Sequence, residues 1–168
     1  YTNTREYVFN GFLFSTEFAR RCAASGINIG NAVETPDATD AWQMNVQILA
    51  LCNEQRQNNG LEKLMTREDL WEQVAQVRAG EIVNYFSHTR PNGSSCFSLY
   101  DEAGLDYRAA GENIAAGYYG ASAVVDGWMN STGHRANILS ESYDYLATGY
   151  ATGGAYGTNY CQNFLGDW

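Results

Sequence analysis

Both histidines of this chain stand in short segments that mix an ionisable residue with glycine and small polar side chains: NYFSHTRPNGSS around His88 and WMNSTGHRANIL around His134. A third such segment, RAAGENIAAGY, carries Glu112. Two imidazoles and one carboxylate are the donor set of a catalytic-type zinc centre, which keeps one position open for water. The same groups can carry protons as general acid and base. In a metal-dependent hydrolase, Glu112 would serve as the base acting on metal-bound water, while Ser87 is a nucleophile candidate by adjacency to His88 alone. Simpler roles exist for each residue. Glu112 can accept backbone N–H groups in a glycine-rich turn, and His88 can cap a helix C-terminus, where a cation is favoured. His134 opens a short helical run, where the same dipole biases it toward the neutral form that metal coordination needs. Arg135 is expected to pair with an acid on a neighbouring segment, and Asn137 to bond a loop backbone.

Nothing local forces these groups together. The chain has no His-Glu-x-x-His helix, no Gly-x-Ser-x-Gly elbow and no strand-anchored Gly-x-Gly-x-x-Gly. The elements around them must do the positioning. A stripe of Met44, Ile48, Leu51 and Cys52 predicts a helix from Gln43 that Gly60 ends. Thr66 with Asp69 resembles a capping box for a second helix from 67 to about 84. Ser122 can cap a third, with Val124, Val125, Trp128 and Met129 inward, and a fourth short segment runs from His134 to about Leu139. Two alternating runs around Gly153–Gly154 predict a C-terminal β-hairpin. Helices first and a hairpin last, without βαβ alternation, give an α+β fold. At the other end, Val8, Phe9, Phe12 and Leu13 are read as a helix over 4–25, followed by a linker at 26–42 that carries Pro36 and no periodicity.

Composition narrows the function classes. A net charge of −9 argues against nucleic acid, which needs clustered cations to neutralise phosphates. It argues equally against an anionic membrane surface. No apolar run reaches the roughly 18 residues of a membrane helix. The chain begins with Tyr1 rather than Met, which is expected of an excised or processed piece. The four cysteines, Cys22, Cys52, Cys96 and Cys161, form no Cys-x-x-Cys pair, and their even number and wide spacing suit two disulfides in an exported protein.

Six ordered blocks carry a family resemblance: LALCNEQRQNNGLEKL, YFSHTRPNGSS, YRAAGENIAAGY, VVDGWMNSTGHRANIL, LATGYA and YCQNF. From about residue 43 to 168 the chain resembles the CAP superfamily of cysteine-rich secretory, antigen 5 and pathogenesis-related proteins, and within it the bacterial SCP-like extracellular branch. The resemblance implies an α-β-α sandwich, a small antiparallel sheet between helical layers, with His88, Glu112 and His134 lining a central cavity. It also implies a divalent cation, commonly Zn2+, held between His88 and His134, with Glu112 as a possible third ligand. Relatives often add a second glutamate after the tryptophan of the third helix; here that place falls on Ser131 or Asn130, which puts tetrad-type metal binding in question. The implied function is a secreted or surface-bound, non-enzymatic ligand-binding module, the metal-assisted hydrolase being the alternative. Its partner would be a small apolar ligand, a cell-wall polymer, or a host or bacterial protein. The first 30 or so residues, through TREYVFNGFLFSTEFARRCAASGI, are similar to the closing part of a small helical repeat of exported bacterial proteins, which makes 1–25 a remnant helix ahead of the 26–42 linker and the 43–168 domain.

Overall fold

The fold was analysed in a computed structural model that describes residues 7–9, 12–14 and 38–168. The chain falls into two compact units, Tyr1–Asp40 and Ala41–Trp168. Within the first, strands β1 (Tyr7–Phe9) and β2 (Phe12–Phe14) pair antiparallel, with Tyr7 opposite Phe14 and Phe9 opposite Phe12. This corrects the expected helix over 4–25. Tyr, Val and Phe favour a pleated strand, and Asn10–Gly11 between the two runs is the residue pair that most favours a two-residue hairpin turn. The other residues of 1–25 and the linker up to 37 lie outside the described residues.

Helix α1 (Ala38–Asn58) begins within the expected linker. Its inward stripe runs Ala41, Asn45, Ile48, Leu49, Cys52, Asn53 and Arg56, all buried. Three of these are polar, which blurs the apolar period, and each grips backbone elsewhere. Asn45 accepts the Thr148 N–H, Asn53 exchanges two hydrogen bonds with the Leu64 backbone, and Arg56 donates to the carbonyls of Glu62, Ile138 and Ser140.

The second helical rod is composite: α2 (Glu68–Leu70), a π turn at Trp71–Ala75, then α3 (Gln76–Ile82). Thr66 does not cap it. The cap position is Arg67, and the Asp69 carboxylate instead takes the Leu70 N–H and pairs with Arg67. A short α4 (Ser98–Glu102) follows a loop. Next come α5 (Ala121–Met129), which starts from Gly120 at φ +91° rather than from Ser122, and α6 (Thr132–Ile138).

The sheet holds three antiparallel strands in the order β3 (Ala109–Ala116), β5 (Gly157–Gly166), β4 (Tyr145–Gly153). Strands β4 and β5 are the expected hairpin. Strand β3 was read as a glycine-rich loop, and only Ile114 in it is a strong strand former. One sheet face packs on α2, the π turn, α3 and α4, through Leu70, Val74, Ala79, Ile82, Tyr100, Ile114, Cys161 and Leu165. Gly149 permits that contact, since a side chain there would strike the Ala75 carbonyl. The other face meets α1 and α6, so the layers are helix, sheet, helix.

Candidate functional site

Glu112 and Asn113 are neighbours on edge strand β3, so their side chains leave opposite faces of the sheet. Glu112 points at α3. Arg78 on that helix donates Nε to Oε2 at 2.8 Å and Nη2 to Oε1 at 3.2 Å, and both side chains are almost fully buried. His88, in the loop after α3, places Nδ1 2.8 Å from Oε1, and the Cys161 thiol donates to Oε2 at 3.2 Å. A carboxylate has about four acceptor positions, and here they are all taken. Burial alone would raise the Glu112 pKa, but the hydrogen bonds from His88 and Arg78, with the Arg78 charge, hold it below the ordinary carboxylate value. Glu112 is an ion-paired anchor.

The pairing extends outward. Arg78 also donates to Glu81 at 2.6 Å and to the Ser87 carbonyl at 2.6 Å, which pins the loop that carries His88. Arg90 joins Glu81 at 2.8 Å to Glu102 at 2.6 Å. Sequence reading missed Arg78, Glu81 and Arg90. A signal existed, because Arg78 falls on the buried stripe of Val74, Ala75, Ala79 and Ile82, where a charge requires a partner.

His88 is thereby oriented. A carboxylate can only accept, so Nδ1 carries the proton and Nε2 is the ring's remaining nitrogen. The side chain is 58% exposed. Ser87 does not face it as a nucleophile would; its hydroxyl accepts the Thr89 N–H. His88 does not cap a helix end either, since its ring is spent on Glu112.

His134 is the third residue of α6, the helix that the Asn113 side chain holds. Asn113 Nδ2 donates to its carbonyl at 3.1 Å and to Gln162 Oε1 at 3.0 Å, while Asn137 Nδ2 donates to Asn113 Oδ1 at 2.8 Å. Gln162 in turn donates to Cys52 on α1. A neutral amide chain thus carries α6 across the sheet, and Asn137 also bonds strand backbone, at the Glu112 carbonyl. Partial burial, and second the charge of His88, lower the His134 pKa below 6.5. Its bias toward the neutral ring therefore has those causes. Arg135 is exposed and makes no ion pair among the described residues, contrary to expectation.

Ser131 sits at the cap position of α6 without a side-chain capping bond, and Asn130 is exposed. Neither bonds His88, Glu112 or His134. The donor set does not fit a three-ligand zinc centre, since Glu112 is consumed by Arg78. Among the described residues no group of three or more His, Cys, Asp or Glu can hold a metal ion. Among the described residues no disulfide forms, against the expectation of two. Cys52 on α1, Cys96 in the turn before α4 and Cys161 on β5 are buried free thiols, and Cys22 lies outside the described residues. Burial pushes Cys52 up to about 12 and Cys96 up to about 11, far from a reactive thiolate.

With this geometry in place, comparison with known proteins is direct. Residues 49–164 match the family model for CAP, the cysteine-rich secretory protein family. The chain is 33% identical over 150 residues to the uncharacterized protein YkwD of Bacillus subtilis, covering 88% of this chain and 56% of that protein. It is 38% identical over 128 residues to the uncharacterized membrane protein YlbC of the same organism, covering 73% and 34%. Among solved structures, an extracellular protein with an SCP domain from Bacillus anthracis superposes with a TM-score of 0.69 at 30% identity, covering 82% of this chain and 45% of that one. The chain thus spans about half or less of each of these proteins.

Proposed function

This chain belongs to the CAP, or cysteine-rich secretory protein, family, and on that premise we propose that it is an extracellular, non-enzymatic interaction module. The observation that carries the reading is the commitment of Glu112. A general base needs a free lone pair aimed at the proton it removes, and Arg78, His88 and Cys161 occupy those of Glu112. The site is built to hold a shape and to present the exposed His88 ring beside β3, within electrostatic reach of His134. The extracellular placement draws on the SCP-domain neighbour from Bacillus anthracis, which is an extracellular protein. Among the described residues no helix is long and apolar enough to cross a membrane. The partner classes consistent with this reading are a small apolar ligand, a wall polymer or a second protein.

The test is incubation with a peptide library at pH 7.5, with and without added zinc, read by mass spectrometry for wild type and Glu112→Gln. No cleavage above the buffer control is expected in either protein. Cleavage by wild type that Glu112→Gln abolishes while remaining folded would overturn the module reading in favour of a hydrolase.

A further inference from the structure

One end of the sheet gathers exposed aromatic side chains that the His–Glu site does not use. Phe86 and Tyr156 lie with ring centroids 5.8 Å apart, both about half exposed, and Tyr119 is 87% exposed. Tyr85 and Tyr118 are exposed on the same segments. Three chain segments meet here, and their joints are specific. The tip of the β4–β5 hairpin packs on the end of α3, with Gly154 against the Val83 carbonyl. Gly117 N donates to the Thr158 carbonyl, and the Tyr118 carbonyl accepts from both Thr158 Oγ1 and Tyr160 OH. The aromatic rings are therefore carried on a braced surface rather than on independent loops.

The segments share a second property. Residues 83–87 (VNYFS), 117–125 (GYYGASAVV) and 151–160 (ATGGAYGTNY) contain no Asp, Glu, Lys, Arg or His, although 17% of the chain is charged and its net charge is −9. What remains beside the rings is amide and hydroxyl: Asn84, Ser122 and Thr152 are all exposed. An anionic polymer would meet no lysine or arginine on these segments and an acidic molecule overall. A protein-docking surface typically combines its aromatic anchors with arginine, and these segments have none.

We infer that this charge-free aromatic end is a docking surface for an uncharged polysaccharide. The C–H faces of pyranose rings are apolar and stack on aromatic rings, while their hydroxyl rims hydrogen-bond to amides, phenols and alcohols. Several platforms on one surface suit successive sugars of a polymer better than a single sugar. The inference rests on the interaction-module reading and names the class of its ligand.

The experiment is affinity electrophoresis of the whole chain through gels containing neutral polymers (hydroxyethyl cellulose, mixed-linkage β-glucan, glycol chitin), with chromatography of the liquid phase for released oligosaccharides. Wild type is expected to be retarded on at least one polymer without releasing product. Tyr119→Ala and the double variant Phe86→Ala/Tyr156→Ala should each lose about tenfold in affinity. Trp168→Ala, an exposed aromatic at the far end of β5, should bind as wild type does. A folded wild type that migrates unretarded in all three gels would overturn the polysaccharide assignment and leave the module reading standing. Retardation with release of oligosaccharides would overturn the module reading instead. A self-association seen by sedimentation and abolished by Tyr119→Ala would also overturn the assignment, in favour of a contact between copies.

Discussion

Glu112 and Asn113 are adjacent on one strand, yet they are secured by opposite means. Toward α3, Glu112 ends a chain of buried and half-buried charges that runs through Arg78, Glu81 and Arg90 to Glu102. Toward α6, Asn113 is the centre of a neutral amide chain from Asn137 through Gln162 to Cys52. The charged side orients an exposed imidazole, His88. The neutral side positions a helix, and with it His134. A buried charge fixes geometry strongly, but loses heavily if its partner goes. A buried amide is replaceable at lower cost.

That contrast predicts a ranking. Arg78→Met leaves Glu112 buried without its cation and should cost about 3–5 kcal/mol in urea denaturation. The double variant Arg78→Met/Glu112→Leu should recover most of it, because removing both charges of a buried pair is often near neutral. A single variant that loses under 1 kcal/mol, a value typical of exposed pairs, would show that water satisfies Glu112 and that the two faces are alike. Asn113→Ala should cost less, about 1–3 kcal/mol, by stranding the amides of Asn137 and Gln162. Should Asn113→Ala prove the more damaging of the two, the contrast would be reversed.

Acid sharpens the same comparison. The Glu112 pKa is lower folded than unfolded, so its contribution is complete above the ordinary carboxylate value of 4.5 and disappears as pH falls through the folded value. Thermal melts of wild type should therefore lose stability steeply below about pH 4.5. Glu112→Gln, less stable at neutral pH, should show a shallower acid limb. Equal slopes in the two proteins would remove Glu112 from the acid response.

How much of this was legible in the sequence differs between the faces. The helices α1, α3, α5 and α6 and the β4–β5 hairpin follow from their apolar periods, and the layered fold from the ordered family blocks. The short strand β3 was hidden, because AAGENIAA is poor in strand formers and Gly111 and Gly117 read as turn residues. Its role comes from pairing with β5 along its whole length, a tertiary fact no local pattern states. The paired strands 7–9 and 12–14 differ from the expected helix for the converse reason: four apolar residues in six positions fit both periods, and the Asn-Gly pair between them favours strands over a helix. His88 and Glu112 were singled out together and do touch. The partner that defines them, Arg78, is one polar residue among many in its helical segment, and only its place on the stripe of Val74, Ala75, Ala79 and Ile82 marks it as buried. The amide chain was less visible still, since Asn and Gln at buried positions look like ordinary polar surface until the facing element is known.

The smallest effect is the one that links the two faces. His134 is carried on the helix that Asn113 holds, and its pKa is lowered by its own partial burial and, secondarily, by the charge of His88. A histidine with a lowered folded pKa resists protonation, so the folded state loses stability as pH falls below the unfolded value near 6.5. In His88→Ala the electrostatic part of that shift is gone and the burial part remains. The His134 ring resonance, followed by NMR against pH, should then titrate at a value higher than in wild type but still below 6.5. A return to the full ordinary value would make His88 the main cause and burial the lesser. An unchanged midpoint would mean that the two rings do not sense one another, and that the ion-paired and amide-held parts of the site act separately. The predicted partial shift instead makes the two imidazoles near neighbours, one oriented by a buried ion pair and the other carried on a helix that a neutral amide chain holds.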